Sequence, residues 1–362
     1  MKKKALVAMS GGVDSSVAAY LVKDAGYDPI GITLRLYDNE LIGEPPVCEG
    51  NTCCSFRDTE DARMVCGRLQ IPFYVLDFRK PFLDTVIRRF IEGYLRGETP
   101  NPCIDCNRFI KFGSLYERAR ELDRDFVATG HYARIQWDEG SGRYLLLRSR
   151  DEKKDQTYVL YSLTQDQLAH TLFPLGGLRK TETRAIAEAQ GFVNARKHDS
   201  QDICFVPDGD YAAFIERQTG GHPASGDFVD KKGTILGQHR GLIHYTIGQR
   251  KGLRLALPHP MYVVKKDMSR NQVLLGENED LFSSDLEADQ FNWIACEPPE
   301  GDLICRAKVR YSQQEAPCRV TSLGPDRVHI HFDRPQRALT LGQAAVLYDG
   351  DVVIGGGTIC QV

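Results

Sequence analysis

Short apolar runs and amphipathic stretches alternate along the first 130 residues of the chain. The runs that predict buried strands lie at residues 5–10, 29–37, 72–78 and 126–133. The stretches with the apolar spacing of helices lie at residues 13–25, 56–71, 81–97 and 109–123. Strands that alternate with helices indicate an α/β unit with a doubly wound parallel sheet. Such sheets bind ligands beyond the carboxyl ends of their strands, so we expect the loops after the first, second and fourth predicted strands to share one cleft.

The pattern changes after about residue 205. Residues 237–267 are rich in Gly, His and basic residues and predict a small β-rich module. After about residue 285, apolar and polar positions alternate in segments such as "RVHIHFD" and "AAVLYDGDVVIGGGTI", with turn signals at short intervals. This pattern is typical of a small barrel or sandwich.

Composition narrows the class of protein. Of the 362 residues, 42% are hydrophobic and 26% are charged, which is typical of a soluble globular protein of two or three domains. No apolar run is long enough for a membrane span, and the N-terminus does not resemble a signal peptide, so we expect a cytoplasmic protein with no membrane partner. The eleven cysteines are an odd number and argue against a disulfide framework. The net charge of -3 means that a nucleic-acid partner would need a local basic face.

Residues 8–16 read "AMSGGVDSS" and lie between the first predicted strand and the first predicted helix. Glycines let a backbone approach phosphate closely, and N–H groups at a helix N-terminus attract anions. Ser10, Ser15 and Ser16 add hydroxyl donors. Asp14 would repel phosphate unless it faces a cation, which predicts a magnesium ion nearby. The lysine of the Walker loop is absent, so the segment predicts a phosphate-binding loop of another type.

The segment resembles the pyrophosphate loop of the ATP pyrophosphatase superfamily. Members of that superfamily cleave ATP between the α- and β-phosphates, adenylate a substrate oxygen and release pyrophosphate. The resemblance accounts for the missing lysine, because the loop would hold the leaving pyrophosphate. Both synthetases and tRNA sulfur transferases belong to this superfamily, so the loop alone does not identify the substrate.

Three cysteines that lie beside Pro, Asn and Asp residues are candidate catalytic residues. Cys103 and Cys106 lie in "TPNPCIDCNRFIKFG", and Cys204 lies in "KHDSQDICFVPDGD"; this context predicts loops. The C-x-x-C pair could be half of a metal site, a redox pair or neither. No second C-x-x-C completes a zinc-ribbon pattern, and the only other closely spaced cysteine pair is Cys53–Cys54. An adenylated carbon needs a nucleophile. A persulfide on one cysteine could attack that carbon, and a second thiol could then release the thiocarbonyl product and leave a disulfide. This chemistry requires that two distant cysteines meet in one cleft.

Seven segments, in order along the chain, resemble the bacterial tRNA-specific 2-thiouridylase family. They are "MSGGVDSS", "TPNPCIDCNRFIKF", "ATGHYAR", "KDQTYVLYSLTQDQL", "DSQDICF", "YTIGQRKGL" and "AAVLYDGDVVIGGGTI". The resemblance implies ATP-dependent 2-thiolation of the wobble uridine, position 34, in tRNAs for Lys, Glu and Gln. It implies an N-terminal adenylation domain at residues 1–204, a small central domain at 205–280 and a C-terminal β-barrel at 281–362. ATP and Mg²⁺ are the implied cofactors, and a cysteine desulfurase or relay protein is the implied sulfur donor.

The resemblance also assigns roles at matching positions. Cys106 matches the nucleophilic cysteine, and Cys204 matches the cysteine that carries the persulfide. The positions that match the ATP site are Ala8, Met9, Ser10, Gly11, Gly12, Val13, Asp14, Ser15, Leu34 and Gly130. The positions that match tRNA contacts are His131, Lys154, Asp155, Gln156, Arg310, Tyr311 and Gln343. Asn101, Pro102 and Cys103 match the stretch beside the target base.

Cys103 stands where many members of the family have Asp, and Asp105 is displaced from that position. The role of an acid beside the nucleophile is therefore open here. Cys103, Cys106 and Cys204 are three thiols, a number that suits a 4Fe–4S cluster with one open iron that binds sulfide. Two sulfur routes follow from the sequence: a persulfide on Cys204, or a cluster held by the three cysteines.

Two other classes of function remain open on the residues alone. An ATP pyrophosphatase that amidates or ligates a small molecule would not need Cys106 or Cys204. A non-catalytic iron–sulfur or zinc RNA-binding module would not release pyrophosphate, and the intact loop at residues 8–16 argues against it. The segments "YTIGQRKGLRL" and "RAKVRYS" place Arg and Lys among aromatic residues, which suits either RNA contacts or solvated faces of β modules.

Overall fold

The computed structural model describes residues 2–43, 56–199, 203–257 and 259–362. The alternative cysteine pair Cys53–Cys54 falls outside the described residues. Among the described residues, no helix is long and apolar enough to cross a membrane.

A five-stranded parallel sheet forms the N-terminal part of the chain, with the strand order β3-β2-β1-β4-β7. The seven strands before residue 173 are β1 (Lys4–Ala8), β2 (Asp28–Arg35), β3 (Phe73–Asp77), β4 (Phe126–Ala128), β5 (Ala133–Asp138), β6 (Arg143–Arg148) and β7 (Thr171–Leu172). The predicted parallel α/β sheet is therefore confirmed. The predicted strand at 126–133 is too long, since β4 ends at Ala128 and residues 129–132 form a loop.

Helices cover both faces of this sheet. They are α1 (Val13–Asp24), α2 (Asn39–Ile42), α3 (Phe56–Arg68), α4 (Arg79–Phe82), α5 (Arg88–Leu95), α6 (Pro102–Asp105), α7 (Leu115–Glu121), α8 (Gln165–Ala169) and α9 (Lys180–Ala189). A π-helical stretch, Leu83–Ile87, joins α4 to α5, and a second one, Cys106–Ser114, joins α6 to α7. A short 3₁₀ helix covers Thr157–Val159.

The alternation of side chains along β1 divides the core into two layers. Leu6 points into one layer with Phe82 and Phe90, whereas Ala5 and Val7 point into the other layer with the helices α1 and α3. Burial of such side chains contributes on the order of 25 cal/mol per Å² of apolar surface. Both faces of the sheet are therefore covered, and its strand ends remain available for ligands.

The middle part of the chain contains α10 (Tyr211–Thr219) and a four-stranded sheet. Its strands are β8 (Gly226–Val229), β9 (Ile235–His239), β10 (Tyr262–Asp267) and β11 (Gln272–Gly276), in the order β10-β11-β8-β9. Two 3₁₀ helices lie at Leu242–His244 and Asn278–Leu281. This small β-rich unit has its own apolar cluster around Phe228, Val263 and Leu275.

The C-terminal strands form the predicted β-barrel. They are β12 (Phe282–Trp293), β13 (Leu303–Lys308), β14 (Ala316–Gly324), β15 (Arg327–Arg337), β16 (Ala344–Asp349) and β17 (Val352–Gln361). The order β12-β15-β14-β13-β16-β17 closes because β12 also pairs with β17. The hairpin β5–β6 extends this sheet, since Leu146 pairs with Val353 on β17. The predicted domain boundaries at residues 204 and 280 stay predictions.

The segment that carries Cys103 and Cys106 is helical, so the prediction that these cysteines lie in loops is wrong. Asn101 caps the helix, because its side-chain oxygen accepts a hydrogen bond from the Cys103 N–H at 3.1 Å. Pro102 follows at the first helical position, where its missing N–H costs nothing. The Pro and Asn residues that suggested a loop thus begin a helix.

Candidate active site

A cavity of about 320 Å³ lies at the carboxyl ends of β1, β2 and β4. The three loops that were expected to share a cleft all line it. From the predicted ATP set, the residues that line it are Ala8, Met9, Ser10, Asp14, Ser15, Leu34 and Gly130. From the predicted base and tRNA set, the residues that line it are Pro102, Cys103, His131 and Gln156. Cys106 and Cys204 line it as well.

Close backbone approaches shape the predicted phosphate loop. Gly11 has a φ of +73°, and a Cβ there would lie 2.2 Å from the carbonyl oxygen of Asp58. Gly130 approaches the loop from β4, and a Cβ on it would lie 2.8 Å from the Ser15 nitrogen. Only glycine fits at these two positions without displacing backbone. Gly12 caps α1 with no side-chain hydrogen bond, so the first N–H groups of the helix face the loop.

Hydroxyl groups and a core side chain fix the start of α1. The hydroxyls of Ser15 and Ser16 donate to the Gly12 carbonyl at 3.0 and 2.9 Å. The Ser10 N–H donates to the Ser15 hydroxyl oxygen at 3.2 Å. Val13 is buried in the core rather than exposed to the cavity. The loop is therefore rigid, with Ser10 and Ser15 as its hydroxyls at the cavity wall.

Asp14 has an ammonium group as its counter-charge. Lys180 Nζ lies 2.7 and 2.8 Å from the two carboxylate oxygens of Asp14, and the Tyr132 hydroxyl donates to the same carboxylate at 2.9 Å. The cation beside Asp14 in this structure is Lys180, whereas the sequence predicted magnesium there. With both oxygens engaged, Asp14 does not present a Mg²⁺ site in this arrangement.

Lys180 belongs to a network of ion pairs around Asp199. Lys180, Lys154 and Arg184 lie 2.7, 2.6 and 3.0 Å from the Asp199 carboxylate. Burial alone would raise the pKa of Asp199, but hydrogen bonds from Lys154 and Lys180 outweigh it and lower that pKa to about 2. Lys197 pairs with Asp61 at 2.7 Å and also with Asp58. These cations are neutralised by aspartates around the phosphate loop.

The structure brings Cys106 and Cys204 to one cavity from separate parts of the chain. Cys106 lies on the helical run that Asn101 caps, and Cys204 lies in the turn that leads to α10. The Tyr37 hydroxyl donates to the Cys204 carbonyl at 2.6 Å. Phe205 is fully buried and meets the rings of Phe82 and Phe90, with centroid distances of 5.8 and 5.3 Å. The chain is thus held in place at the carbonyl of Cys204 and at the residue that follows it.

The three cysteines do not form a metal site in this arrangement. Among the residues that the structure describes, which include Cys103, Cys106 and Cys204, no three His, Cys, Asp or Glu side chains are placed so that they could hold a metal ion. A 4Fe–4S cluster needs its cysteine ligands grouped around one cluster. The three side chains as placed do not fit that cluster.

Asp105 does not replace the acid that Cys103 displaces. Its carboxylate faces Arg89, with 3.4 Å between Arg89 Nε and the nearer oxygen, and it does not line the cavity. Burial raises the pKa of Asp105, although the charges of Arg89 and Arg108 oppose that shift. The helix turns Asp105 away from Cys106, so the cavity has no carboxylate from this motif.

His131 lines the cavity as a neutral ring. Its Nδ1 lies 2.7 Å from the Thr129 hydroxyl, and Phe112 and Phe173 pack beside the ring. Burial, together with the charge of Lys111, lowers the pKa of His131 well below its ordinary value. His131 therefore offers a hydrogen-bonding imidazole to a ligand, not a positive charge.

The other predicted tRNA residues make contacts within the chain. Asp155 is buried, where it accepts hydrogen bonds from the Ser149 N–H at 3.0 Å and the Thr157 hydroxyl at 2.6 Å. The Tyr311 hydroxyl donates to the Asp155 carbonyl at 3.3 Å. Arg310 donates to the Ala338 carbonyl at 2.8 Å. These residues lie outside the cavity.

Gln343 links the barrel to the cysteine helix. Its Nε2 donates to the Thr99 carbonyl at 2.5 Å, and the Thr99 N–H donates to the Leu341 carbonyl at 2.9 Å. Thr99 lies two residues before the cap Asn101. The predicted tRNA residue on the barrel is therefore in direct contact with the segment that leads to Cys103 and Cys106.

Comparison with known proteins gives matches along almost the whole chain. A model described as "tRNA methyl transferase HUP domain" matches residues 3–208, "tRNA methyl transferase PRC-barrel domain" matches 212–277, and "Aminomethyltransferase beta-barrel domain" matches 283–359. A tRNA-specific 2-thiouridylase MnmA of Clostridioides difficile is 50% identical over 99% of this chain and 98% of the relative. The chain belongs to the tRNA-specific 2-thiouridylase family.

Other members of the tRNA-specific 2-thiouridylase family match similarly. The relative from Symbiobacterium thermophilum is 51% identical over 99% of this chain and 92% of its own length. The relative from Moorella thermoacetica is 52% identical over 99% of both chains. A solved 4-thiouridine synthetase–RNA complex with bound ATP covers 60% of this chain and 50% of its own, at 18% identity and a TM-score of 0.35, which is too low to support an argument.

Sequence analysis of this thiouridylase-family chain missed two lysines of the site. Lys180 stands at the first position of α9, where a positive charge is unfavourable next to the helix N-terminus. That misfit could have signalled an acidic partner, which is Asp14. Lys111 lies inside the quoted cysteine motif and lines the cavity, but its spacing from Cys106 does not place both on one face of an ordinary α-helix.

Proposed function

We propose that this chain catalyses the ATP-dependent 2-thiolation of the wobble uridine, position 34, of tRNA. The observation that supports it best is one cavity lined by both a lysine-free phosphate loop and two cysteines from distant parts of the chain. The loop suits α,β-cleavage of ATP, and the two thiols suit sulfur transfer. The names of the full-length relatives agree with this activity.

In the first step, the C2 oxygen of the uridine attacks the α-phosphorus of ATP, and pyrophosphate leaves. N–H groups at the start of α1 and the hydroxyls of Ser10 and Ser15 hold the leaving pyrophosphate. Gly130 lets β4 approach the loop, and Leu34 provides an apolar wall for the nucleotide. The product of this step is an adenylated uridine whose C2 carbon accepts a nucleophile.

In the second step, the terminal sulfur of a persulfide on Cys204 attacks C2, and AMP leaves with the C2–O bond electrons. The thiolate of Cys106 then attacks the Cys204 Sγ, which forms a Cys106–Cys204 disulfide and releases 2-thiouridine. A sulfur donor such as a cysteine desulfurase or a relay protein supplies the persulfide, and an external reductant restores the two thiols. These reaction steps do not require a carboxylate beside Cys106.

The tRNAs for Lys, Glu and Gln are the proposed substrates, bound across the domains at 1–204, 205–280 and 281–362. His131 and Gln156 would meet the flipped base in the cavity, next to Asn101, Pro102 and Cys103. Lys154, Asp155, Arg310, Tyr311 and Gln343 are the proposed contacts outside the cavity. Because they are engaged within the chain, tRNA binding must exchange some of those contacts for contacts to RNA.

Single-turnover assays with an unmodified tRNA transcript test this function. The wild-type chain, loaded with persulfide, should release pyrophosphate and form 2-thiouridine. Cys106→Ser and Cys204→Ser should still release pyrophosphate but form no 2-thiouridine, while Cys296→Ser, which changes a cysteine outside the cavity, should match wild type. Full activity of Cys106→Ser on a small molecule would instead favour an amidating or ligating enzyme. Absence of tRNA-dependent pyrophosphate release would favour a non-catalytic RNA-binding module.

A further inference from the structure

The π-helical stretch brings Lys111 to the cavity that Cys106 lines. Lys111 is the fifth residue after Cys106, and both belong to Cys106–Ser114. In an α-helix, residues five apart point about 140° away from each other. In a π-helix, the backbone hydrogen bond joins residues five apart, so such residues lie over one another. The helix type therefore explains why both side chains reach the same cavity.

Lys111 differs from the nearby Lys154, Lys180, Arg184 and Lys197 because it has no carboxylate partner among the described residues. Lys154, Lys180, Arg184 and Lys197 are each paired with aspartates. No carboxylate lies within ion-pairing distance of Lys111 in the part of the chain that the structure describes. Lys111 and His131 both line the cavity, and the charge of Lys111 adds to burial in lowering the pKa of His131. Lys111 is therefore available to an anion that arises there.

We propose that Lys111 is a catalytic residue of the sulfur-transfer half of the reaction, and that its ammonium group holds Cys106 as a thiolate. The proposal rests on the proposed function, in which Cys106 must attack a sulfur of Cys204. A thiolate, not a thiol, performs that attack, and a neighbouring cation favours the thiolate. His131 cannot supply this charge because its ring is neutral.

The pH dependence of Cys106 alkylation tests the proposal on the full chain without tRNA or ATP. Iodoacetamide labelling is followed by mass spectrometry of the peptide that contains Cys106, in wild type, Lys111→Met, Lys111→Arg and Lys232→Met. The midpoint of the alkylation rate against pH should rise by about one pH unit or more in Lys111→Met, because a nearby opposite charge shifts a pKa by that order. Lys111→Arg should keep the wild-type midpoint. Lys232→Met, which changes an exposed turn residue, should keep it too.

A second measurement separates the thiolate role from a role in ATP binding. Lys111→Met should release pyrophosphate at the wild-type rate, form 2-thiouridine at least tenfold more slowly at pH 7, and recover most of that loss at pH 9. An unchanged Cys106 midpoint with slowed pyrophosphate release would assign Lys111 to the phosphates and overturn the proposal. If Lys111→Met does not fold, Lys111→Gln gives the same comparison. Failure of the proposed function would appear separately, as wild-type chain that does not thiolate tRNA.

Discussion

Lys180 Nζ lies 2.7 Å from one carboxylate oxygen of Asp14 and 2.8 Å from the other. This pair joins the first turn of α1 to the first turn of α9, although the two residues are 166 positions apart. It allows an acidic residue to stand within the predicted phosphate-binding loop. The lysine that the loop lacks in sequence is therefore present beside it in space, but as the partner of an aspartate.

Replacing Lys180 should weaken ATP binding. In Lys180→Met, the Asp14 carboxylate is left without its ammonium partner beside the phosphates, and repulsion should raise the KM for ATP in pyrophosphate release roughly tenfold, which is about 1.4 kcal/mol. Adding Asp14→Asn should recover part of that loss. Lys80→Met breaks a surface Lys–Asp pair of 3.0 Å and should change nothing. An unchanged KM in Lys180→Met would mean that the pair does not screen Asp14.

A methyl group at position 130 should disrupt the nucleotide site. Gly130→Ala would bring a Cβ to 2.8 Å from both the Asp14 carbonyl carbon and the Ser15 nitrogen, so backbone must move. We expect a loss of about 1–3 kcal/mol in the free energy of unfolding and a loss of ATP-dependent stabilisation. Gly177→Ala is the matched control, because no atom lies within 4 Å of a Cβ there. Thermal melting with and without ATP measures both effects, and equal behaviour of the two variants would contradict the packing argument.

Loosening the turn at Cys204 should affect sulfur transfer alone. Tyr37→Phe removes the hydroxyl that donates to the Cys204 carbonyl at 2.6 Å, at a cost of about 1 kcal/mol. Formation of 2-thiouridine should slow several-fold, while pyrophosphate release should stay at its wild-type rate. Tyr211→Phe, whose hydroxyl lies 3.2 Å from the Thr246 hydroxyl, serves as control. Equal slowing of both half-reactions would show that Tyr37 positions the nucleotide as well.

The ion pairs of Asp199 predict an acid-dependent loss of stability. The folded pKa is lowered to about 2, below the ordinary value of 3.8. The stabilisation is therefore fully present above about pH 4 and is lost as the pH falls toward 2. Between those values, the free energy of unfolding should fall less steeply in Asp199→Asn than in wild type. Denaturant titrations at several pH values measure the slopes, and parallel slopes would exclude Asp199 as a source of the pH dependence.

Cys103 distinguishes the two sulfur routes. Protein that is purified aerobically, shown to be free of iron and acid-labile sulfide, and then loaded with persulfide should thiolate tRNA. Cys103→Ser should retain near-normal turnover under these conditions, because the persulfide route uses only Cys106 and Cys204. Activity that appears only after anaerobic reconstitution with iron and sulfide, and that is lost in Cys103→Ser, would support a cluster instead.

The layers of the fold and the position of the cleft could be predicted from the sequence. Periodic apolar positions determine strands such as β1 and β2, and the parallel arrangement follows from the alternation with helices. The cysteine segment was misread because Asn and Pro favour both turns and helix starts, and only the contact from the Cys103 N–H to Asn101 distinguishes the two.

Contacts between distant parts of the chain could not be predicted from local pattern. The Lys180–Asp14 pair and the anchoring of Phe205 between Phe82 and Phe90 depend on packing of elements far apart in sequence. The π-helical stretch at Cys106–Ser114 is similarly hidden, since its side chains also suit an α-helix. The sequence therefore identified the cysteines that line the cavity, whereas the charges around them are visible only in the structure.

The hairpin β5–β6 has a consequence for any attempt to divide this protein. Its strands come from the N-terminal part of the chain, yet they extend the sheet of the C-terminal barrel, because Leu146 and Leu147 of β6 pair with Val353 and Val352 of β17. A fragment that starts at residue 281 would lose these strands and expose the backbone of Val352 and Val353 as an open strand edge. Such an edge invites pairing with other chains, so the isolated barrel should aggregate. The barrel thus depends on the hairpin at residues 133–148 to cover one edge of its strand β17.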